Sequence, residues 1–324
     1  MKTYRITNLD TPVSRIALGC MRLGGSWGDV PITADDRKRA VAAVAAALEN
    51  GINFFDHADI YMRGKSEEVF AGALKELGVR RDQVVLQSKC GIRFAGSPSP
   101  ESPGRYDFSY EHITASVEGI LWRLDTEYLD ILLLHRPDPL VEPDEVARAF
   151  DELYRAGKVR AFGVSNHTGP QIALLQASLD QTLVVNQVEL SPLHSFLIDD
   201  GVLADQREAI YANASGTLDY CRLHGIRVQA WSPVAHGVLS NPPDDAPANV
   251  RTAATLVTQL AAEKETTTDA IVLAWLLRHP AGIQPVIGTT NPLRIADSCL
   301  ADDVVLSREE WYRLFIAARG GPLP

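Results

Sequence analysis

A chain of 324 residues, 46% hydrophobic and 22% charged, is long enough for a large core and ordinary for a soluble globular enzyme, and no apolar run reaches the length needed to cross a bilayer. Its 31 basic and 41 acidic residues give a formal charge of −10, which disfavours nucleic acid or an anionic membrane surface as a partner and means that an anionic ligand needs a local basic site. The four cysteines, Cys20, Cys90, Cys221 and Cys299, are dispersed without CxxC pairs or histidines at metal-ligand spacing, and residues 1–10 lack the apolar core of a signal peptide, which points to free thiols in a reducing cytoplasm and to no metal.

Strand-like and helix-like segments alternate along the chain. Arg5–Asn8 and Thr11–Ser14, separated by Leu9-Asp10, predict a small hairpin before Ile16–Leu18 opens the main series. Thr33 is placed to cap an alanine-rich helix over Asp35–Asn50, with Gly51 as its stop, and Asn53–Phe55 is the second strand. The series continues with helix Ser66–Leu77, strand Val84–Ser88, helix Tyr110–Leu124, strand Tyr128–Leu134, helix Pro143–Ala156, strand Val159–Val164, helix Pro170–Ser178 and strand Leu183–Val188. Strand Val228–Trp231, helical segments around Ala253–Glu263 and Asp269–Arg278, strand Gln284–Ile287 and helix Pro292–Cys299 follow, and a last helix, Arg308–Ala318, is extra to the series.

Short buried strands between longer amphipathic helices argue for a parallel sheet. Eight of them from Ile16 onward argue for an α/β fold of the (β/α)8 TIM-barrel type with an N-terminal β-hairpin and an extra C-terminal helix. No linker or repeat divides the chain, so residues 1–324 are expected to form one domain. Gly91–Ser109, Glu189–Gly216 and Ser232–Asn249 are longer than barrel connections need; such loops carry ligand contacts or are tolerated surface insertions.

Chemistry concentrates at the strand ends. The second strand runs into Asp56, and Tyr61 follows in the same loop. Each alone reads more readily as a cap, a turn or a packing residue than as a catalyst. Lys89 ends the next strand, where an unpaired ammonium would be costly to bury and Asp56 could be its partner. His135 ends the strand after that; a lone histidine is more often structural, but four such residues on three adjacent strand ends are what a barrel active site requires.

Those residues carry a resemblance. With Asn53-Phe54-Phe55-Asp56 and Tyr61, Gln87-Ser88-Lys89, Leu132-Leu133-Leu134-His135, Gly157-Lys158-Val159-Arg160 leading into Gly163-Val164-Ser165-Asn166, Asn186-Gln187-Val188-Glu189, Trp231-Ser232-Pro233 and Gly288-Thr289-Thr290, the chain resembles an aldo-keto reductase over essentially its full length. The phrases around His57 and Cys90 are similar to a bacterial branch of predicted NADPH-dependent oxidoreductases; neither residue is given a catalytic role.

The resemblance implies an NADP(H)-dependent oxidoreductase that reduces a carbonyl. Tyr61 would donate the proton, Lys89 would stabilise the phenolate while held by Asp56, and His135 would orient and polarise the carbonyl oxygen. No Gly-x-Gly-x-x-Gly fingerprint follows a strand, so a Rossmann cofactor domain is unsupported. By the resemblance, Ser165, Asn166 and Gln187 would bond the nicotinamide carboxamide and Trp231 would stack on its ring, with Met21, Asp56, Ser232, Pro233 and Val234 alongside. Gly288, Thr289, Thr290, Arg294, Asp297 and Ser298 would form the adenine end, where the start of the helix near Pro292 suits a phosphate and Arg294 suits the 2′-phosphate of NADPH (NADP+). Gly288 and His236 stand where many relatives have lysine and arginine.

Trp27, Arg93 and Phe94, with Tyr106 and Phe108, are the candidates to meet a small carbonyl substrate, and the short tail after Ala318 leaves no long C-terminal lid. The expected state is a monomer or weak homo-oligomer. Two other readings stand beside this one: a slow-turnover NADP(H)-binding regulatory or channel-accessory protein of the same fold, and a barrel hydrolase, for which Asp59 is the local second carboxylate.

Overall fold

The computed structural model describes residues 1–203, 206 and 214–324. β1 (Thr3–Tyr4) and β2 (Val13–Ser14) pair antiparallel. The expected hairpin is therefore present, but its first strand precedes Arg5–Asn8: Leu9 N donates to Ile6 O and Asn8 takes a φ of 64°, so those residues turn the chain instead. β3 (Ala17–Gly19), α1 (Ala34–Glu49), β4 (Phe54–Asp56), α2 (Lys65–Glu76) and β5 (Val85–Cys90) follow. The long segment after β5 holds a ribbon of β6 (Ile92–Arg93) and β7 (Arg105–Tyr106) before α3 (Tyr110–Leu124). Next come β8 (Leu129–Leu134), α4 (Pro143–Arg155), β9 (Val159–Ser165), α5 (Gly169–Gln176) and β10 (Leu183–Glu189).

α6 (Phe196–Val202) and α7 (Thr217–Leu223) lie where the sequence carries no helical expectation; each has seven residues, too few for a periodic signal. Residues 204, 205 and 207–213 of the long segment Glu189–Gly216 lie outside the described residues. The chain ends with β11 (Arg227–Trp231), α8 (Ala248–Glu263), α9 (Thr268–Leu277), β12 (Gln284–Ile287), α10 (Pro292–Cys299) and α11 (Arg308–Arg319). α8 starts five residues before the expected Ala253, directly after Pro247, because Val250 packs into the core and tertiary burial extends a weakly helical stretch.

Local chemistry sets most helix ends. Thr33 and Asp36 form a capping box at α1, Ser307 and Glu310 another at α11, and Pro143 and Pro292 open α4 and α10. Among the described residues, β3, β4, β5, β8, β9, β10, β11 and β12 close into a barrel in that order, with β12 beside β3. Every neighbouring pair is parallel, as expected when each strand is followed by a helical crossover. None of the described helices is long and apolar enough to cross a membrane.

Period-two alternation sorts the strand side chains. Leu18, Phe55, Leu86, Leu132, Phe162 and Val164 join the helices in one apolar shell. Ala17, Phe54, Val85, Ile131, Leu133, Ala161, Val185 and Val286 form a second cluster inside the barrel, with Ile6 and Val13 of the hairpin closing its amino end. Two residues beyond Val85 and Val185 on their strands lie Gln87 and Gln187; Gln229 is in register with both Gln187 and Gln284, all four amides are buried, and the next step along β5 reaches Lys89. The barrel interior thus passes from an apolar floor through an amide layer to the charged residues at its carboxyl end.

Gly91 directs the chain into the ribbon with a φ of 104°, and a Cβ there would overlap the Phe108 ring. Phe108 is itself buried and stacks on His167 at 6.1 Å. Gly91→Ala is expected to lower the unfolding free energy by about 1–3 kcal/mol through combined backbone strain and overpacking. Urea denaturation checks this; an unchanged midpoint would mean that Phe108 moves aside without cost.

Candidate active site

Asp56 ends β4 in register with Gln87 of β5, so Lys89 is the next inward-facing position of that strand. The Lys89 ammonium is fully buried, and its Nζ lies 2.7 Å from both Asp56 carboxylate oxygens, 2.9 Å from His57 O and 3.1 Å from the Tyr61 hydroxyl. Burial pulls the Lys89 pKa down, but Asp56 and then Tyr61 pull harder the other way, and it ends above its ordinary value. The lysine is held as a cation.

The amides beneath hold its counter-ion. Gln87 Nε2 and Gln187 Nε2 donate to Asp56 Oδ1 at 2.6 and 3.0 Å, and both also donate to Gln229 Oε1. Gln229 donates to Gln284, which donates to Ser14 O in the hairpin. A buried ion pair is tolerable only when its remaining hydrogen-bonding capacity is met, and this chain of amides meets it. The sequence reading assigned Gln187 to the cofactor and missed Gln87, Gln229 and Gln284; a glutamine adjoining apolar residues in a short strand, as each of these does, was the available signal.

Tyr61 reaches Lys89 through an irregular loop. His57 N and Asp59 N continue the pairing with β5 by donating to Gln87 O and Lys89 O, and Tyr61 N turns back onto Ala58 O. Met62, Arg63 and Gly64 then take φ values of 48°, 58° and 87°, a left-handed run that costs non-glycine residues and persists only when its surroundings enforce it. Burial raises the phenol's pKa while Lys89 lowers it, and the net shift is upward. The cation thus acts in the expected direction, but desolvation outweighs it.

What enforces the loop is an ion pair that the sequence did not disclose. Glu67, fully buried at the start of α2, accepts from Ser88 Oγ and Arg123 Nε, each at 2.7 Å. Arg123 crosses from α3 against Gly64, where a Cβ would come within 2.7 Å of the arginine chain. Ser88 adjoins Lys89, so one carboxylate ties the tyrosine loop to the lysine strand. Glu67 and Arg123 are 56 residues apart, and no local pattern links them. Asp59 lies in this electrostatic neighbourhood: burial, and then the Glu67 charge, push its carboxyl up to about 7. No group of three or more potential metal ligands occurs among the described residues.

His135 N donates to Cys90 O, and its ring meets Tyr61 edge-on at 5.9 Å. Burial, then Lys89 and Arg136, push its pKa well down, so the imidazole is neutral; its Nδ1 is buried without a partner. Asn166 donates to His135 O and Ser165 Oγ and accepts from Trp231 Nε1 at 3.0 Å, while Ser165 Oγ donates to Gln187 O. The three residues assigned to a carboxamide therefore sit on adjacent strands and are bonded to one another or to the ion-pair layer. Both amide hydrogens of Gln187 are engaged. His57 stands apart: it is fully buried edge-on to Phe70, with neither ring nitrogen bonded, and burial and Lys89 push its pKa to about 3. It is a neutral packing residue.

Around the rim, Ser66 Oγ holds Met21 O, and Lys65 Nζ gathers Ser26 O, Gly28 O and Val30 O within 3.1 Å, fixing the loop that presents Trp27 at 49% exposure. Arg93 is ion-paired to Asp107 at 2.5 Å, so its charge is already committed, and Phe94 lies under Arg63. Ser232, at φ 50°, begins a tight turn through Pro233 and Val234 in which Ala235 N donates back to Ser232 O. After β12 come Gly288, Thr289 and Thr290. Asn291 Oδ1 then takes the N–H groups of Leu293 and Arg294, so the helix-start donors expected to meet a phosphate are already capped. The Arg294 side chain remains exposed, Asp297 is half-buried, and the buried Ser298 hydroxyl donates to Arg294 O.

Comparison with known proteins places this geometry in context. The model of the Aldo/keto reductase family matches residues 15–317. The oxidoreductase YcsN of Bacillus subtilis is 36% identical over 321 residues, 97% of each chain. The solved glycerol dehydrogenase of Gluconobacter oxydans superposes with a TM-score of 0.82 at 26% identity, over 99% of this chain and 97% of its own. An aldo-keto reductase from Klebsiella pneumoniae, solved in complex with NADPH, superposes with a TM-score of 0.74 at 28% identity, over 100% of this chain and 96% of its own.

The Asp59 carboxyl generates a pH prediction. A carboxyl whose folded pKa is raised from 3.8 to about 7 contributes stability that is complete below the ordinary value and is lost as pH rises through about 7. Asp59→Asn is therefore expected to flatten the fall in melting temperature between mildly acidic and mildly alkaline buffer, as read by differential scanning fluorimetry. A variant whose profile parallels the parent would rule Asp59 out as the titrating group.

Proposed function

The chain belongs to the aldo/keto reductase family, and from that premise we propose that it reduces an aldehyde or ketone to the alcohol with NADPH, with Tyr61 supplying the proton. The observation that carries this reading is the buried Lys89 ammonium, in contact with both Asp56 oxygens and the Tyr61 hydroxyl. A carbonyl reductase needs a proton donor whose conjugate base is stabilised as negative charge reaches the substrate oxygen.

The chemistry that bound NADPH supplies is a hydride for the carbonyl carbon, the cofactor leaving as NADP+. Ser165, Asn166 and Gln187 would hold its carboxamide and Trp231, fixed by Asn166, its ring. Ser232, Pro233 and Val234 would line its middle, and Gly288, Thr289, Thr290, Arg294, Asp297 and Ser298 its adenine end. The site fits in two respects: the side-chain oxygen Oε1 of Gln187 is not used by the amide layer, and the exposed Arg294 side chain has a planar fork suited to a 2′-phosphate. The NADPH complex of the structural neighbour supports the same cofactor.

The neutral His135, with a hydrogen on Nε2, donates to the carbonyl oxygen and fixes its direction. As the C=O π bond breaks toward oxygen, the proton passes from the Tyr61 hydroxyl to that oxygen. The upward shift of the phenol keeps it protonated beforehand, and the Lys89 ammonium 3.1 Å away stabilises the phenolate afterwards. Asp56, held by Gln87 and Gln187, keeps the lysine in place, and water restores the tyrosine proton after release. The four free cysteines fit a cytoplasmic setting.

Tyr61→Phe is expected to retain NADPH binding, measured by fluorescence titration, while kcat falls by about 10²–10⁴; unchanged turnover would remove Tyr61 from the role. Arg294→Ala is expected to lower the ratio of NADPH to NADH efficiency by roughly tenfold or more, the size of a lost charge-assisted contact. A ratio that does not move would place the 2′-phosphate elsewhere.

A further inference from the structure

The mechanism above leaves one charge at the barrel mouth unused. Arg136 directly follows His135 at the carboxyl end of β8, is half-buried, and lies over the Trp231 indole with its guanidinium carbon 5.8 Å from the ring centroid. Among the described residues it meets no carboxylate and no hydrogen-bond acceptor. The other cations described around the site are committed or solvated: Lys89 to Asp56, Arg93 to Asp107, Arg123 to Glu67, Lys65 to three carbonyls, with Arg63 exposed.

A half-buried guanidinium has surrendered part of its hydration while keeping a planar fork of donors, and a carboxylate or phosphate is the group that satisfies it. The chain as a whole carries −10 and repels anions. An uncommitted cation next to His135 therefore supplies the local basic group that an anion needs there. Two anions have this chemistry: a phosphate of the dinucleotide and an acid group on the substrate. Strand order separates them. β8 stands opposite β12 in the eight-strand ring, four strands away in either direction, and the loop proposed to receive the adenine end follows β12. His135, proposed to hold the substrate oxygen, is the adjacent residue.

We propose that Arg136 is a specificity-determining residue that pairs with a carboxylate on the carbonyl substrate, so that the protein prefers acid-bearing aldehydes or ketones to neutral ones of similar shape. This deepens, and rests on, the carbonyl-reductase reading.

The test compares 3- and 4-carboxybenzaldehyde with their methyl esters, using NADPH and the full chain. The parent is expected to reduce at least one acid more efficiently than its ester. Arg136→Gln is expected to lower kcat/KM for that acid by about 10- to 100-fold, chiefly through KM, which is the size of a lost hydrogen bond to a charged group. The ester should change little, the NADPH Kd should hold, and Arg136→Lys should restore part of the acid preference. Equal efficiency for acid and ester in the parent, or parallel losses on both in Arg136→Gln, would overturn the assignment while leaving carbonyl reduction intact. A weakened NADPH Kd with an unmoved acid-to-ester ratio would give Arg136 to the cofactor phosphates and overturn it too. Failure of the parent to reduce either acid or ester would bring down the underlying function and this proposal with it.

Discussion

Burying a lysine at the centre of a barrel is the constraint from which the rest of the site follows. An ammonium removed from water is costly unless a counter-charge and hydrogen bonds replace its hydration. Lys89 has Asp56, His57 O and the Tyr61 hydroxyl; Asp56 in turn needs the donors of Gln87 and Gln187. Those amides need acceptors, which Gln229, Gln284 and finally Ser14 O provide. A polar chain therefore runs from the active end of the barrel to the hairpin that closes the other end, and the hairpin is joined to the chemistry by hydrogen bonds as well as by its apolar plug.

The tyrosine is placed differently. Strand pairing delivers Lys89, but Tyr61 sits five residues beyond Asp56, where the chain runs through three left-handed residues. Such a path holds only when contacts outside the loop enforce it, and the Glu67, Ser88 and Arg123 cluster supplies them at the point where α2, β5 and α3 meet. Breaking a buried pair of this kind typically costs about 3–5 kcal/mol, a large fraction of an ordinary stability margin. The geometry of the candidate site and folding stability thus share one ion pair.

Burial also assigns the protonation states. It keeps His135 neutral and keeps the Tyr61 phenol protonated in spite of the adjacent ammonium. The site therefore presents two neutral hydrogen-bond donors beside a compensated cation, an arrangement suited to a carbonyl oxygen that gains negative charge. At the mouth, Arg136 stands over Trp231 without a counter-ion among the described residues.

Sequence by itself determined what depends on neighbours along the chain. The eight strands, most helix limits and several caps are local, since Thr33, Ser307 and Pro143 act within a turn of where they stand. The strand-end positions of Asp56, Lys89 and His135 followed from the same periodicity, and the resemblance joined Tyr61 to them. Tertiary structure alone decided what depends on distance through space. The amide layer draws Gln87, Gln187, Gln229 and Gln284 from four strands; Glu67 finds Arg123 across two helices; Asn291 caps amides that sequence had left open to a phosphate; and Arg93 proves to be paired with Asp107. A hydrogen bond between residues dozens or hundreds apart leaves no periodic trace, because either partner alone looks like any other polar residue in its element. Asp56 and Tyr61 were legible as candidates; that a buried ammonium joins them was settled only when the barrel closed.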